Sequence, residues 1–201
     1  MFEISGKIVI DYLSSNLSAV EYGYQVSCDA YQYNGFNLLL LDRVWRNGHK
    51  VYRLVNFINE HSQSSPEELD SGLYGFGNSL RTRPFKKVRR GVELLKRYVE
   101  NREESESKEE TLSKLLRILK DDQSTFPDEQ ILSQTEQPEE LSKAMSQIFY
   151  KLPPPYRYGT RSHTILLIDG SNRVTYLESS RDDNCDGIKW HDVRHEFTLD
   201  E

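Results

Sequence analysis

The 201-residue chain has only two cysteines and no long apolar run. Cys28 and Cys185 are far apart and lack CxxC spacing, so neither a zinc site nor a disulfide framework is indicated. No stretch approaches about eighteen continuous apolar residues, as a membrane-spanning helix requires. Glu3 and Lys7 interrupt the start of the chain, where a secretory signal peptide needs an apolar segment. These absences predict an intracellular protein with no transmembrane segment and with buried or unreactive thiols.

The chain has no excess of positive charge. The 26 Lys and Arg residues are outnumbered by 32 Asp and Glu residues, which gives a formal net charge of -6. A general nucleic-acid binder needs a basic surface because its binding releases counterions, so no nucleic-acid partner is expected. Apolar residues make up 36% and aromatics 11%, enough at this length for a real core and one domain over residues 1–201.

Hydrophobic periodicity predicts helices and a hairpin in the first part of the chain. Apolar spacing between Ile8 and Tyr24 indicates two short helices, separated near Asn16. A hairpin follows, with an Asn47-Gly48 turn between two apolar runs. Because the run 36–41 has no polar face, its strand is expected to be covered on both sides.

The second part repeats this order. Helices are predicted from about Pro84 and over 112–119, with the charged run "ENREESESKEE" between them as a solvated segment. "QSTFPDEQILSQTEQPEE" is typical of a long surface loop, and "KLPPPYRYG" is too proline-rich for a helix or strand, so both are candidates for a cleft rim. A hairpin with an Asp169-Gly170 turn and a strand in "RHEFTLDE" close the chain. Helices, hairpin, helices, hairpin and strand predict an α+β class.

A glycine-rich stretch, "SGLYGFGNSLRTRPFKKV", runs from Ser71 to Val88. Its GxxGxG order reverses a dinucleotide fingerprint and lacks a P-loop ending, so nucleotide binding has little support. The cations that follow could clamp a phosphate, a carboxylate or an acidic lipid surface, or could simply form a solvated helix face. They are Arg81, Arg83, Lys86, Lys87, Arg89 and Arg90.

Metal and catalytic signatures are absent from the sequence pattern. The five histidines show no HxxxH or HExxH spacing on a credible helix, since "WHDVRHEF" with His191 and His195 is typical of a loop entering a strand. No metal site is expected, although a single axial haem ligand would leave no pattern. No GxSxG elbow or activated cysteine occurs, so no catalytic residue is assigned.

Three stretches, taken together, carry a family resemblance. They are "YNGFNLLLLD" from Tyr33, "GLYGFGNSLRTRPFKKV" from Gly72 and "YGTRSHTILLIDGSNRVTYLE" from Tyr158. In this order and spacing they resemble the transport and Golgi organization protein 2 family, also called the NRDE family after an Asn-Arg-Asp-Glu motif. The closing "RHEFTL" resembles the family's C-terminal strand. The resemblance runs from about Gly6 to the end.

The resemblance implies an αββα sandwich like that of N-terminal-nucleophile hydrolases. In such folds an N-terminal Cys attacks an acyl carbon, with its own amino group as base. Here residue 2 is Phe2 and no NRDE motif occurs. The expectation is therefore a single NRDE-family domain that lacks its N-terminal strands and the nucleophile.

The resemblance also implies two cleft residues. Asn78 is similar to an Asn whose side chain helps to form an oxyanion hole, and Arg161 is similar to an Arg that lines the same cleft. The glycines before Asn78 would then allow close backbone approach in a strand and turn. Asn78 as a turn or helix cap, and Arg161 as an ordinary loop cation, remain alternatives.

The functional expectation is a non-enzymatic protein of Golgi organisation and protein secretion, with haem or lipid handling around mitochondria. The resemblance implies haem or an acyl lipid as ligand, haem being transported rather than a required cofactor. It further implies peripheral membrane contact and a cytoplasmic, Golgi-associated or mitochondrial location. Two alternatives are an acyl amide or thioester hydrolase, if a Cys-containing N-terminal extension exists, and a binding module for anionic ligands.

Overall fold

The computed structural model describes residues 6–59, 65–134, 137–152, 155–156, 158–182 and 189–199. In these residues the chain forms six α-helices and two three-stranded antiparallel sheets. The chain divides into two compact units, Met1–Pro84 and Phe85–Glu201. The predicted α+β class is confirmed. The stacking of the sheets in an αββα sandwich and the assignment of the chain to one domain stay predictions.

Each unit combines helices with one sheet. The first contains α1 (Gly6–Ser14), α2 (Ala19–Asp29), β1 (Asn37–Arg46), β2 (His49–Ile58) and β3 (Glu67–Leu69), in the strand order β1-β2-β3. The second contains α3 (Lys86–Glu100), α4 (Lys108–Leu119), α5 (Glu129–Gln134), α6 (Glu139–Met145), β4 (Ser162–Ile168), β5 (Arg173–Asp182) and β6 (Lys189–Thr198), in the order β4-β5-β6.

The break between the first two helices lies where the sequence predicts it. Ser18 begins α2 with a capping box, in which its hydroxyl accepts from the Glu21 amide and the Glu21 carboxylate accepts from the Ser18 amide. Buried Ile8 of α1 and Tyr22 of α2 then join one core with the sheet, and the Tyr22 hydroxyl donates to the Ile8 carbonyl at 2.6 Å. The two helices therefore share one side of the sheet.

The first hairpin confirms the predicted turn. Asn47 and Gly48 have φ values of 51° and 81°, as a two-residue hairpin turn requires. The register pairs Leu38 with Phe57 and Leu40 with Val55. All four side chains lie on the face that packs on α1 and α2, which we call the inner face of the first sheet.

One prediction is wrong for the opposite face, which we call the outer face of the first sheet. Leu39 and Leu41 were predicted to lie in a strand covered on both sides, yet they are 42% and 40% exposed. A continuous apolar run does not distinguish a doubly covered strand from one that leaves apolar side chains in solvent.

The second sheet is built in a similar way. Leu112 of α4 packs on Ile165 of β4 and Leu177 of β5. The second hairpin is confirmed, but its left-handed residue is Asn172, with φ 59°, rather than Gly170. β6 extends over ten residues and includes the whole of "WHDVRHEF", which was predicted to be partly loop.

Two segments of the second unit differ from the sequence expectation. "QSTFPDEQILSQTEQPEE" is not a surface loop, since it holds α5 and the start of α6 and buries Asp128 and Ile131. In the charged run, the Glu106 side chain is 2% exposed and accepts from Tyr98, Thr111 and Lys114. The hydrogen bonds from Lys114 and Tyr98 lower the pKa of Glu106 to about 2.

Other expectations agree with the structure. The described residues of "KLPPPYRYG" form no helix or strand, as predicted. None of the helices in the described residues is long and apolar enough to cross a lipid bilayer.

Asp42 connects the first sheet to its helix layer. From β1 it accepts the Ala19 amide at 2.8 Å, at the start of α2, and the Arg53 Nε of β2 at 2.9 Å. Burial alone would raise the pKa of Asp42, but the hydrogen bonds from Arg53 and Ala19 outweigh it and lower that pKa. One carboxylate thus holds a helix start and two strands together.

We expect Asp42→Asn to lower the free energy of unfolding by about 2 kcal/mol, because it leaves the half-buried Arg53 without its charged partner. The matched control is Glu68→Gln, which removes the partner of Arg46. This ion pair is more exposed than that of Asp42 with Arg53, so its loss should cost well under about 1 kcal/mol. Urea unfolding measures both. The Asp42 contribution is present above the ordinary carboxyl pKa and is lost as the pH falls through the lowered value. Equal losses in the two variants would contradict this role.

Candidate functional site

Asn78 lies on an exposed bend at one end of the outer face of the first sheet. The side-chain Nδ2 of Asn37, the first residue of β1, donates to the carbonyls of Gly77 and Ser79, the latter at 3.2 Å. These two carbonyls flank Asn78, and an isolated bridge joins Gly77 to Ser79. The sequence predicted a strand and turn here. The stretch around Asn78 forms a bend instead, and Asn37 fixes its position.

Two buried polar atoms near Asn78 have no hydrogen-bond partner in the described residues. They are Asn37 Oδ1 and Ser79 Oγ. A buried acceptor or hydroxyl without a partner costs about 1–3 kcal/mol unless something binds it. The bend therefore keeps unused hydrogen-bonding capacity beside Asn78.

The outer face continues from this bend as an apolar surface with cations at its far end. Its exposed side chains include Trp45 and Tyr52 in addition to Leu39 and Leu41. The register places Arg43 opposite Tyr52 and Lys50 opposite Trp45. The Arg43 guanidinium lies 5.9 Å from the Tyr52 ring centroid and the Lys50 ammonium 5.6 Å from that of Trp45. Aromatic faces and cations alternate along the two strands.

The predicted basic stretch is largely used inside its own units. Arg81 pairs with Glu67 of β3 at 2.5 Å, in the first unit. In the second unit, the Lys86 ammonium donates to the Pro127 carbonyl at 2.5 Å and Arg90 pairs with Asp121 at 2.6 Å. Arg83 and Arg89 are exposed. Its use as an anion site stays a prediction.

Lys87 is half-buried and makes its contacts within the second unit. Its ammonium donates to the Met145 carbonyl at 2.9 Å and lies 5.2 Å from the Tyr150 ring centroid. Burial lowers the pKa of Lys87, against an opposing effect of Asp128. Lys87 thus helps to pack the second unit.

Arg161 lies in the second unit, on an exposed position just before β4. Its carbonyl accepts from the Arg181 amide at 2.8 Å, which aligns the start of β4 with β5. Two residues earlier, a Cβ on Gly159 would lie 2.5 Å from the Tyr150 carbonyl oxygen, so only glycine fits there. The backbone just before Arg161 is therefore held in place by this close contact. Because Asn78 and Arg161 belong to different units, the cleft proposed to contain both stays a prediction.

A polar cluster that the sequence did not reveal lies on the helix-covered face of the second sheet. His163 of β4 is 5% exposed and stacks on Trp190 of β6, with ring centroids 5.1 Å apart. Burial and the charge of Lys120 lower the pKa of His163. Its Nε2 and the Oγ of its strand partner Ser179 are buried and have no partner in the described residues. The sequence signal that could have revealed it is the alternation in "SHTILLI", which places His163 on the same face of β4 as Ile165.

The cysteines and the other histidines are not gathered into a metal-type cluster in the part of the chain that is described. Cys28 is exposed rather than buried, and Cys185 lies outside the described residues. His191 approaches Asp182 at 3.5 Å, and His195 lies beside the Tyr176 ring. No group of three or more His, Cys, Asp or Glu side chains with metal-site geometry occurs among the described residues.

Replacing Asn37 by Ala should release the bend at Asn78. We expect faster hydrogen exchange at the Gly77–Ser79 amides and a loss of about 1–2 kcal/mol of unfolding free energy, because two carbonyls lose their donor. Asn34→Ala, an exposed change before β1, serves as the control. Unchanged exchange in the Asn37 variant would show that the bend is held by other contacts.

Acid should destabilise the protein through His163. Because its pKa is lowered in the folded state, the unfolded chain binds the proton more readily, so stability falls as the pH drops through the ordinary His pKa of about 6.5. We expect His163→Gln to flatten the pH dependence of the unfolding free energy between about pH 7.5 and 5.5. His195→Gln, on the exposed strand, should keep the wild-type slope. Parallel slopes for all three proteins would refute this assignment.

Comparison with known proteins agrees with the resemblance seen in the sequence. The family model described as Transport and Golgi organisation 2 matches residues 4–183. The mouse Transport and Golgi organization 2 homolog is 30% identical over 194 residues, which cover 96% of this chain and 67% of the mouse protein. The human homolog is 29% identical over 195 residues with the same coverage. The Drosophila melanogaster protein is 27% identical over 180 residues, 87% of this chain and 60% of its own. The chain thus spans about two-thirds of its mammalian relatives, and it belongs to the Transport and Golgi organisation 2 family.

Proposed function

We propose that this chain is a non-enzymatic family member that binds and carries an anionic amphiphile, haem or an acyl lipid, in support of Golgi organisation and protein secretion. The observation that carries the proposal is the outer face of the first sheet, where apolar side chains stay exposed beside cations. The family name supports the cellular role, and the surface chemistry supports the class of ligand.

Several exposed apolar side chains share this surface. Leu39 and Leu41 lie on successive outward positions of β1, and Trp45 continues the same row with 69% exposure. Tyr52 of β2 adds a second ring on the same face. Contiguous exposed apolar side chains of this kind mark binding surfaces, because covering them removes apolar area from water at about 25 cal/mol per Å².

The cations give the surface its preference for a negative group. Arg43 and Lys50 lie over the rings of Tyr52 and Trp45, so positive charge is held at the apolar surface. A flat ring system with carboxylates, such as haem, or an acyl chain with an acidic head would match this combination by apolar contact and charge-assisted hydrogen bonds.

A catalytic role has less support from the described residues. Asn78 and Arg161 could polarise or bind an acyl group, but a hydrolase also needs an attacking atom and a base. Cys28, the free cysteine of the described residues, is exposed on α2. The hydrolase alternative consequently depends on a Cys-containing N-terminal extension.

Peripheral membrane contact is part of the proposal. Val9, Ile10 and Leu13 of α1 are 51%, 64% and 77% exposed, which leaves an apolar helix side available to a lipid surface. A cytoplasmic protein at the Golgi surface or at mitochondria would use such a contact to collect or deliver its ligand.

The fluorescence of Trp45 tests the ligand site directly. In a Trp190→Phe background, haemin and palmitate are each titrated, and we expect saturable quenching with at least one of them at tens of micromolar or below. Arg43→Glu combined with Lys50→Glu should weaken binding by about tenfold, because both cations become repulsive. Lys96→Glu, an exposed charge on α3, is the control. Absence of saturable binding, or binding that is unaffected by the double reversal, would contradict the proposal.

A further inference from the structure

β6 is a long edge strand of the second sheet. In the described residues it pairs with β5 on one side and with no strand on the other. Its ten residues continue the ladder without a bulge, and every one except Trp190 is exposed. The strand contains no proline, a residue that blunts many sheet edges. A free edge of this kind presents a row of unpaired backbone N–H and C=O groups, which another strand can bind.

The two faces of β6 carry different side chains. Because side chains alternate along a strand, the even-numbered and odd-numbered residues lie on opposite faces. Trp190 stacks on His163, and Arg194 pairs with Glu109 of α4, so the even-numbered residues lie on the helix-covered face. Val193, in the middle of the strand, lies on the other face and is 51% exposed.

Two charged residues on the helix-covered face have unused bonding capacity. Asp192 is exposed and has no ion pair within the described residues. Arg194 is two residues further along the same face. Its guanidinium donates two N–H groups to Glu196 and one to Glu109, of the five that an arginine carries. A carboxylate from a neighbouring strand can therefore still accept from Arg194.

The charges of β6 are self-complementary in one antiparallel register. Two identical antiparallel strands related by a twofold axis pair residues of the same parity, because side chains directly opposite each other share a face. An axis at Val193 places Asp192 of each copy opposite Arg194 of the other. An axis at Asp192 or at Arg194 places that residue opposite its own copy, which is repulsive. An axis at His195 shortens the overlap and leaves Asp192 opposite Thr198.

We propose that β6 is a dimerisation edge, which pairs with β6 of a second copy of this chain in the register centred on Val193. Residues 189–197 of the two strands then overlap, and two three-stranded sheets become one continuous sheet. Main-chain hydrogen bonds along the edge supply the attraction, and the two pairs of Asp192 with Arg194 select the register. The interface lies within the second unit and does not depend on the outer face of the first sheet.

Sedimentation velocity of the full chain, from micromolar to hundreds of micromolar, tests the association. We expect twice the mass of one chain at the upper concentrations. Asp192→Arg and Arg194→Asp should each raise the dimer Kd at least about tenfold, because each places two like-charge pairs across the edge. Glu100→Arg, a matched reversal of an exposed carboxylate on α3, should leave the Kd unchanged.

A mixture of the two variants distinguishes this register from a general effect of charge. In a mixed pair, the new Arg of the first variant faces the new Asp of the second. The native Arg194 of the first also faces the native Asp192 of the second. Both contacts are attractive again, so an equimolar mixture should form the dimer that neither variant forms alone, which also shows that both variants are folded.

An engineered cysteine measures the register directly. In a chain with Cys28 and Cys185 replaced by Ser, Val193→Cys places a thiol on the twofold axis, so mild oxidation should link the two copies through it. His195→Cys, on the same face, is the control. Its two copies lie about 13 Å apart along the strands, which is beyond the reach of a disulfide.

The results that would overturn the proposal are specific to this edge. A monomer at every concentration overturns it, as does a dimer whose Kd is unchanged by Asp192→Arg and Arg194→Asp. Failure of the mixed variants to associate also overturns it. Oxidation that links His195→Cys rather than Val193→Cys overturns the register centred on Val193.

Discussion

The register of β1 on β2 is the constraint on which the first unit depends. Because side chains alternate along a strand, a slip of one residue would exchange the inner and outer faces. The Asn47-Gly48 turn sets the register that places Leu40 on the helix side and Leu41 outside. The same register brings Asp42 opposite Arg53, where the carboxylate can also reach the start of α2.

Carboxylates distant in sequence recur as anchors of helix starts. Asp42 accepts the first amide of α2, and Asp128 accepts the first amide of α3, from Lys86, at 2.6 Å. Asp128 also accepts from the Gln130 amide at the start of α5, at 3.1 Å. The free amides and positive end of a helix N-terminus favour such partners. In an acidic chain, carboxylates bonded within the fold stabilise it, so net charge alone says little about surface function.

The two units use their uncovered surfaces differently. The first presents an exposed face with rings and cations, whereas the second buries His163 and Ser179, each with a polar atom that has no partner in the described residues. Most cations of the basic stretch, which the sequence made a candidate ligand site, instead bind groups within their own units, as Arg90 binds Asp121. The density of charge along the chain is therefore a poor guide to a ligand site. Exposed apolar surface and unused hydrogen-bonding groups are better guides.

The sequence by itself determined the family, the α+β class, the helix break near Asn16 and both hairpins, because motif spacing, periodicity and turn residues are local signals. It did not determine which face of an apolar strand is covered. The segment around Asp128 was wrongly predicted to be a surface loop, because its short helices carry only a weak local pattern. Tertiary structure alone placed Asn37 against the Asn78 bend and Trp190 against His163. Such contacts join residues far apart in the chain, and no local propensity encodes them.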